Sequence, residues 1–215
     1  MGNQISCNNY YCHPVSFKPE WLSHSNYIFH KDKTNFKIEK GILEIEPSDK
    51  VELLFYKKLD LDSSTPHEFQ IPFHFQFHSS FPLSFYIFIT SNFHFNTISS
   101  LQSFLSNKSK NINNNIFYIK CNLYNQHNFE ITYSHFEQIF QGVTSDFSSK
   151  HLLQLSFQQN DKDNILVSHS FESSSKSISS HSFHFPFSLD NSYLTFYIES
   201  NYPFLSTQSF SCFLE

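Results

Sequence analysis

Residues 69–90 read Phe69-Gln70-Ile71-Pro72-Phe73-His74-Phe75-Gln76-Phe77-His78, then Ser79-Ser80-Phe81-Pro82, then Leu83-Ser84-Phe85-Tyr86-Ile87-Phe88-Ile89-Thr90. In the first segment every odd position from 69 to 77 is apolar, and Gln70, Pro72, His74, Gln76 and His78 stand opposite. In the last, Leu83, Phe85, Ile87 and Ile89 form a second stripe. A period of two belongs to a half-buried β-strand, because successive side chains leave the backbone on opposite faces.

The same period runs outward in both directions. Upstream, Leu43 and Ile45 oppose Glu44 and Glu46, and Val51, Leu53 and Phe55 follow. Downstream come Phe117–Leu123, Phe129–Tyr133, Leu153–Phe157, Ile165–Phe171, Phe183–Phe187, Leu194–Ile198 and Phe210–Leu214, each alternating. Asn125-Gln126-His127-Asn128 and the stretch Gln158–Asn164 read as hairpin loops. About eleven or twelve strands over about 190 residues predict an all-β chain, an antiparallel β-sandwich or jelly roll. Residues 97–106 read as a short helix, 107–115 as an exposed loop, and the Ser-rich stretch 173–182 as another loop. Residues 1–18 read as a flexible tether and 19–215 as the sandwich domain.

Composition agrees with this division. The 215 residues include 28 Phe and 11 Tyr, enough aromatic surface for a sizeable core. Ala is absent and Ser and Asn abound, which disfavours a helical bundle. Three glycines leave no phosphate-binding loop, and no nucleophile elbow is present. The net charge is −5, Arg is absent, and no basic block occurs, so a nucleic-acid footprint is missing. The four cysteines form no CxxC pair; Cys121 and Cys212 fall on apolar stripes and read as core. No apolar run approaches the roughly 18 residues of a transmembrane helix. No apolar leader precedes the fold, so the chain reads as not secreted.

The beginning of the chain carries a specific pattern. Met1-Gly2-Asn3-Gln4-Ile5-Ser6-Cys7 matches the N-myristoylation signal, with Gly2 as acceptor and Ser6 at the hydroxyl position. One myristoyl chain binds membranes only marginally, so a second signal is needed. Lys18 is the only base among the first twenty residues, which excludes a polybasic patch. Palmitoylation of Cys7, or of Cys12 nearby, supplies the second signal instead. The expected partner is therefore membrane lipid, reached through acyl groups on the cytoplasmic face.

Residues 41–90 have an order of elements that carries a resemblance. Gly41-Ile42-Leu43-Glu44-Ile45 is followed by a strand ending near Tyr56, then by Leu59-Asp60-Leu61 and the two long strands quoted above. This resembles the early part of a concanavalin A-like sandwich, as in legume-type lectins. The resemblance covers about two-thirds of the chain and implies a fold. Legume-type lectins hold metal ions with acids on a central strand. The strand that corresponds, Ile116–Asn122, has none, and the sugar-binding Asp near the start of Leu83–Thr90 is absent.

The remaining constellations are sparse. Glu44 and Glu46 put two carboxylates on one strand face about 6–7 Å apart, a spacing a glycosidase could use. Pro47 interrupts that strand, and an exposed strand face is the plainer reading. His74 and His78 share a face but lie about 13 Å apart, too far for one metal ion. Asp60-x-Asp62 and Asp161-x-Asp163 read as turn acids. Metal and cofactor sites are not expected.

The sequence thus predicts a membrane-tethered, non-catalytic interaction or adaptor module that binds a protein partner through loops at one end of the sandwich or through a strand edge. The alternative is a lectin-like carbohydrate-binding domain, with Tyr86, Tyr118 and Tyr197 as ligand-binding residues on an exposed sheet face. A hydrolase built on Glu44 and Glu46 is the third reading.

Overall fold

The computed structural model describes residues 28–31, 34–40, 42–59, 68–107, 116–125, 128–133, 139–143, 151–161, 164–173, 176–185 and 191–214. Gly2, Cys7, Cys12 and the expected tether lie outside them, as do Asp60, Asp62 and Asp163.

Among the described residues, fourteen strands form two antiparallel sheets of seven, with one helix beside them. The strands are β1 (Ile28–Lys31), β2 (Phe36–Glu39), β3 (Ile42–Ile45), β4 (Val51–Lys58), β5 (Glu68–His78), β6 (Leu83–Ser91), β7 (Ile116–Leu123), β8 (Asn128–Tyr133), β9 (Ile139–Val143), β10 (His151–Asp161), β11 (Asn164–Ser173), β12 (Lys176–Phe185), β13 (Ser192–Ser200) and β14 (Ser209–Leu214); the helix α1 spans Ile98–Ser106. Sheet A has the order β1-β4-β13-β6-β7-β8-β9, and sheet B the order β12-β11-β10-β5-β14-β3-β2. Neighbouring strands thus come from distant parts of the chain, as in β4-β13-β6, which only long connections allow.

The odd-numbered stripe of 69–90 becomes the centre of the core. Phe73 and Phe75 of sheet B meet Phe85 of sheet A with ring centroids 4.9 and 5.3 Å apart, and Phe73 meets Phe196 at 5.0 Å. Leu43, Leu53, Ile71, Ile119, Leu155 and Ile198 join them with no exposed surface. Cys121 and Cys212 are core residues, and burial raises both thiols well above the usual range.

Three of the fourteen strands escaped the sequence pattern. The strands β1, β2 and β9 have four or five residues each and close sheet edges. One expectation is corrected outright. The Ser-rich stretch 173–182 is not a loop; most of it belongs to β12, paired along β11 from Ser173↔Lys176 to Ile165↔Phe185. Backbone pairing with a long neighbour overrides composition there, since strand preference depends on context.

The expected helix forms at 98–106. Thr97 caps it: the Ser100 amide donates to Thr97 Oγ1 at 3.1 Å, and the Thr97 amide donates back to Ser100 Oγ at 3.3 Å. It lies on the outer face of sheet A, against a second apolar cluster of Leu54, Tyr86, Phe88, Phe95, Leu101, Ile116, Tyr118 and Tyr197.

Candidate functional site

The outer face of sheet A is built from alternate residues of β4, β13, β6 and β7. Strand register aligns Leu54, Tyr197, Tyr86 and Lys120 in one row across these strands. The adjacent row is Tyr56, Thr195, Phe88 and Tyr118. Tyr86, Tyr118 and Tyr197 therefore share a face, as the lectin-like reading requires, but that face is covered. Phe95, Leu101 and Phe104 lie on it, and the three tyrosines are buried. Phe104 meets Phe88 at 6.5 Å and Tyr118 at 6.3 Å, both edge-on. An apolar outer face must be buried against something, and α1 is what covers it.

Beside the covered rings, the next row is polar. Glu52, Glu199, Ser84, Asn122 and Glu130 align across β4, β13, β6, β7 and β8. Tyr86 donates to Glu199 Oε1 at 2.7 Å, and Tyr197 donates to Glu199 Oε2 at 3.0 Å. Gln102 of α1 donates to Glu52 Oε1 at 2.6 Å and to the Tyr197 hydroxyl at 3.3 Å. Lys50 pairs with Glu52 at 2.8 Å, and the Lys120 ammonium sits 5.2 Å from the centre of the Tyr86 ring. Ser84 donates to Asn122 Oδ1 at 2.7 Å, and Asn122 donates to Glu130 Oε1 at 3.0 Å. Burial first, and the Glu199 carboxylate next, push the Tyr86 and Tyr197 hydroxyls well above the usual tyrosine range. These hydroxyls therefore act as neutral donors.

The polar row borders one end of the sandwich. The β5–β6 turn, the residues after β7 and the β13–β14 loop meet there, because Leu83 pairs with Leu123 and Ser200 with Val51. Phe81 and Tyr202, both exposed, stack across two of these loops with centroids 5.2 Å apart and planes 18° apart. Ser200 Oγ donates to the Pro82 carbonyl at 2.8 Å, which fixes one loop to the other. Beyond them, an open cleft of about 350 Å³ is lined by Asn35, Pro47, Ser48, Asp49, Pro203, Phe204, Leu205 and Ser206. The backbones of Ser48 and Phe204 exchange two hydrogen bonds of 2.8 Å beneath it.

Of the two carboxylates Glu44 and Glu46, only Glu44 lies within β3. Glu44 is ion-paired to Lys37 across β2 and β3 at 2.7 Å, both side chains well exposed, and Glu46 follows the end of β3. His74 is half-buried and His78 exposed, on β5 of the opposite sheet. Among the described residues, no group of three or more His, Cys, Asp or Glu is placed to hold a metal ion. No described helix is long and apolar enough to cross a membrane.

No protein-family model matches the chain, and no curated protein matches it. Solved structures do. A legume lectin-like domain from Entamoeba histolytica is similar over 98% of both chains, with TM-score 0.56 and 10% identity. The carbohydrate recognition domain of Emp46p is similar over 91% of this chain and 90% of its own, at 9% identity. Its TM-score is 0.53 in the metal-free form and 0.51 in the potassium-bound form. This chain has a legume lectin-like sandwich fold. The resemblance read from residues 41–90 is thus one of fold, extended to nearly the whole chain.

Sequence reasoning expected loops at one end of the sandwich but missed the polar row and the residues, Phe81, Tyr124 and Tyr202, that make up that end. A signal for the covered face was present. Phe85-Tyr86-Ile87-Phe88-Ile89 is apolar at even and odd positions alike, which marks a strand buried on both sides. The aromatic loop end had no such signal, because Phe81, Tyr124 and Tyr202 are far apart in the chain.

Proposed function

We propose that this chain is a non-catalytic interaction module, tethered to the cytoplasmic face of a membrane, that engages a protein partner through the loop end of sheet A. One observation carries the reading: Phe81 and Tyr202 stack in the open, on loops held together, beside a row of amides and carboxylates. Exposed aromatic rings rimmed by polar groups are the usual make-up of a recognition surface. The helix α1 closes the centre of the same sheet, leaving its end as the accessible part. The tether rests on Gly2, Ser6, Cys7 and Cys12 alone.

Two measurements test it. Intact-mass analysis of the protein from its native cell type, against Gly2→Ala, should show a myristoyl adduct only in the wild type, with membrane fractionation following the adduct. An unmodified, unbound wild type overturns the tether. Proximity labelling should then lose its neighbours in Phe81→Ser/Tyr202→Ser and keep them in Ile42→Ser, which alters an exposed apolar residue at the start of β3. Equal labelling in all three overturns the loop end.

A lectin-like carbohydrate-binding role is the second reading, favoured by the fold shared with a carbohydrate recognition domain and by the Ser84–Asn122–Glu130 row, which offers donors and acceptors to hydroxyl groups. A glycan array probed with wild type and Asn122→Ala selects this reading if binding appears and the variant loses it.

A further inference from the structure

Among the described residues, the exposed large apolar side chains are not scattered. Phe81, Tyr124, Tyr202 and Leu205 are 40, 42, 45 and 49% exposed, and each belongs to a loop at the same end of sheet A. The remaining one, Ile42, is at the far end of β3. This concentration coincides with charge. Glu46 and Asp49 are exposed on the β3–β4 loop, and Glu130 and Glu199 stand in the row behind. The described ammonium groups nearby are engaged: Lys50 pairs with Glu52, Lys120 lies over Tyr86, and Lys37, within electrostatic reach of Glu46, pairs with Glu44.

We infer that this end docks a cationic protein segment carrying Lys or Arg side chains; this rests on the reading of the chain as an interaction module and names its partner's chemistry. The fit is physical. A Lys or Arg side chain has an apolar stem and a cationic head. The stem matches ring faces such as those of Phe81 and Tyr202, whose π-electrons also attract the cation. The head matches Asp49 and Glu46 at the rim. The cleft beside Asp49, walled by Pro47, Pro203 and Leu205, offers the same pairing of apolar wall and acid. An anionic membrane surface is repelled by these carboxylates, and an acidic segment is excluded for the same reason.

The full chain is tested with three labelled decapeptides, one Lys/Arg-rich, one uncharged and Ser/Pro-rich, one Glu-rich, and with phosphatidylcholine vesicles. Fluorescence anisotropy measures binding, and amide chemical-shift changes locate it. The Lys/Arg-rich peptide is expected to bind alone, with shifts at residues 46–49, 79–82, 124–125 and 201–208. Tyr202→Ala and Asp49→Asn should each weaken it about fivefold or more. Glu39→Gln, an exposed acid at the far end of β2, should leave it unchanged. Raising salt from about 0.05 to about 0.3 M should weaken it about tenfold. Equal weakening by Glu39→Gln overturns the site, because it shows general charge attraction. Binding of the uncharged or the Glu-rich peptide at these loops instead overturns the cationic partner and leaves the interaction module standing, whereas binding of the vesicles there overturns the protein partner as well. Absence of shifts at these loops with every probe overturns both.

Discussion

The Tyr86 hydroxyl donates to Oε1 of Glu199 at 2.7 Å, joining β6 to β13 across 113 residues of chain. This bond anchors the inner edge of the polar row. It holds a carboxylate beside buried aromatic rings, where a lost donor is costly. Tyr86→Phe should therefore destabilise the fold by about 1.5–3 kcal/mol, the range for a hydrogen bond to a charged group. Urea unfolding of Tyr86→Phe, Glu199→Gln and the double variant checks this. The loss from Tyr86→Phe should shrink in the Glu199→Gln background. Full additivity would show that the pair contributes nothing together.

Stability should fall in alkali. Burial and Glu199 raise the Tyr86 and Tyr197 hydroxyls above their ordinary value of 10.0. The unfolded chain ionises both near pH 10 while the folded chain keeps them protonated. The unfolded state then binds fewer protons, so the stabilisation is complete below pH 10 and is lost as pH rises beyond it. The slope approaches about 1.4 kcal/mol per pH unit for each tyrosine. Urea midpoints between about pH 8 and pH 11 should drop less steeply for Tyr86→Phe than for the wild type. Identical slopes would contradict the raised hydroxyl.

Thr195 lies between Tyr56 and Phe88 in the strand register, is fully buried, and its Oγ1 has no hydrogen-bond partner among the described residues. A buried hydroxyl without a partner costs about 1–3 kcal/mol. Thr195→Val keeps the shape and the strand preference while removing that cost. It should leave the melting temperature unchanged or raise it by a few degrees. A clear fall would mean that the hydroxyl is engaged.

The cover over sheet A should be separable from the core. Leu101 of α1 is fully buried against the outer face. Leu101→Ala should cost about 2–5 kcal/mol, and Thr97→Ala, which removes the helix cap, about 1 kcal/mol. Hydrogen exchange should speed up in α1 in both variants and change far less in β5 and β10, which face the other core. Uniform acceleration in all strands would show that α1 and the sandwich unfold as one unit.

Much of the sandwich was legible because its core stripe is nearly uninterrupted. Phe69 to Phe77 alternate strictly and Leu83, Phe85, Ile87 and Ile89 keep the same odd-numbered stripe, so strand identity and core face follow from the pleat. The helix was legible as a short segment over 97–106, and the structure adds the Thr97 cap that starts it. The Ser-rich β12 was not legible, because its strand state comes from pairing with β11 rather than from its own residues. The tyrosine face was half legible: Tyr86, Tyr118 and Tyr197 share one face of sheet A, but they are buried beneath α1 rather than exposed. Whether a ring on an outer face meets solvent depends on what crosses above it.

By itself, the sequence determined local matters: which residues alternate, which face is apolar, where a helix begins, and that no phosphate-binding loop is present. Those properties arise within a few residues and need only the pleat, the cap and the side-chain inventory. The tertiary structure alone decided the register of β4, β13 and β6, the row from Glu52 to Glu130, the closing of the tyrosine face by α1, and the meeting of Phe81 with Tyr202. Each joins residues tens to over a hundred positions apart. Such contacts are set by sheet order and packing, which no local pattern encodes.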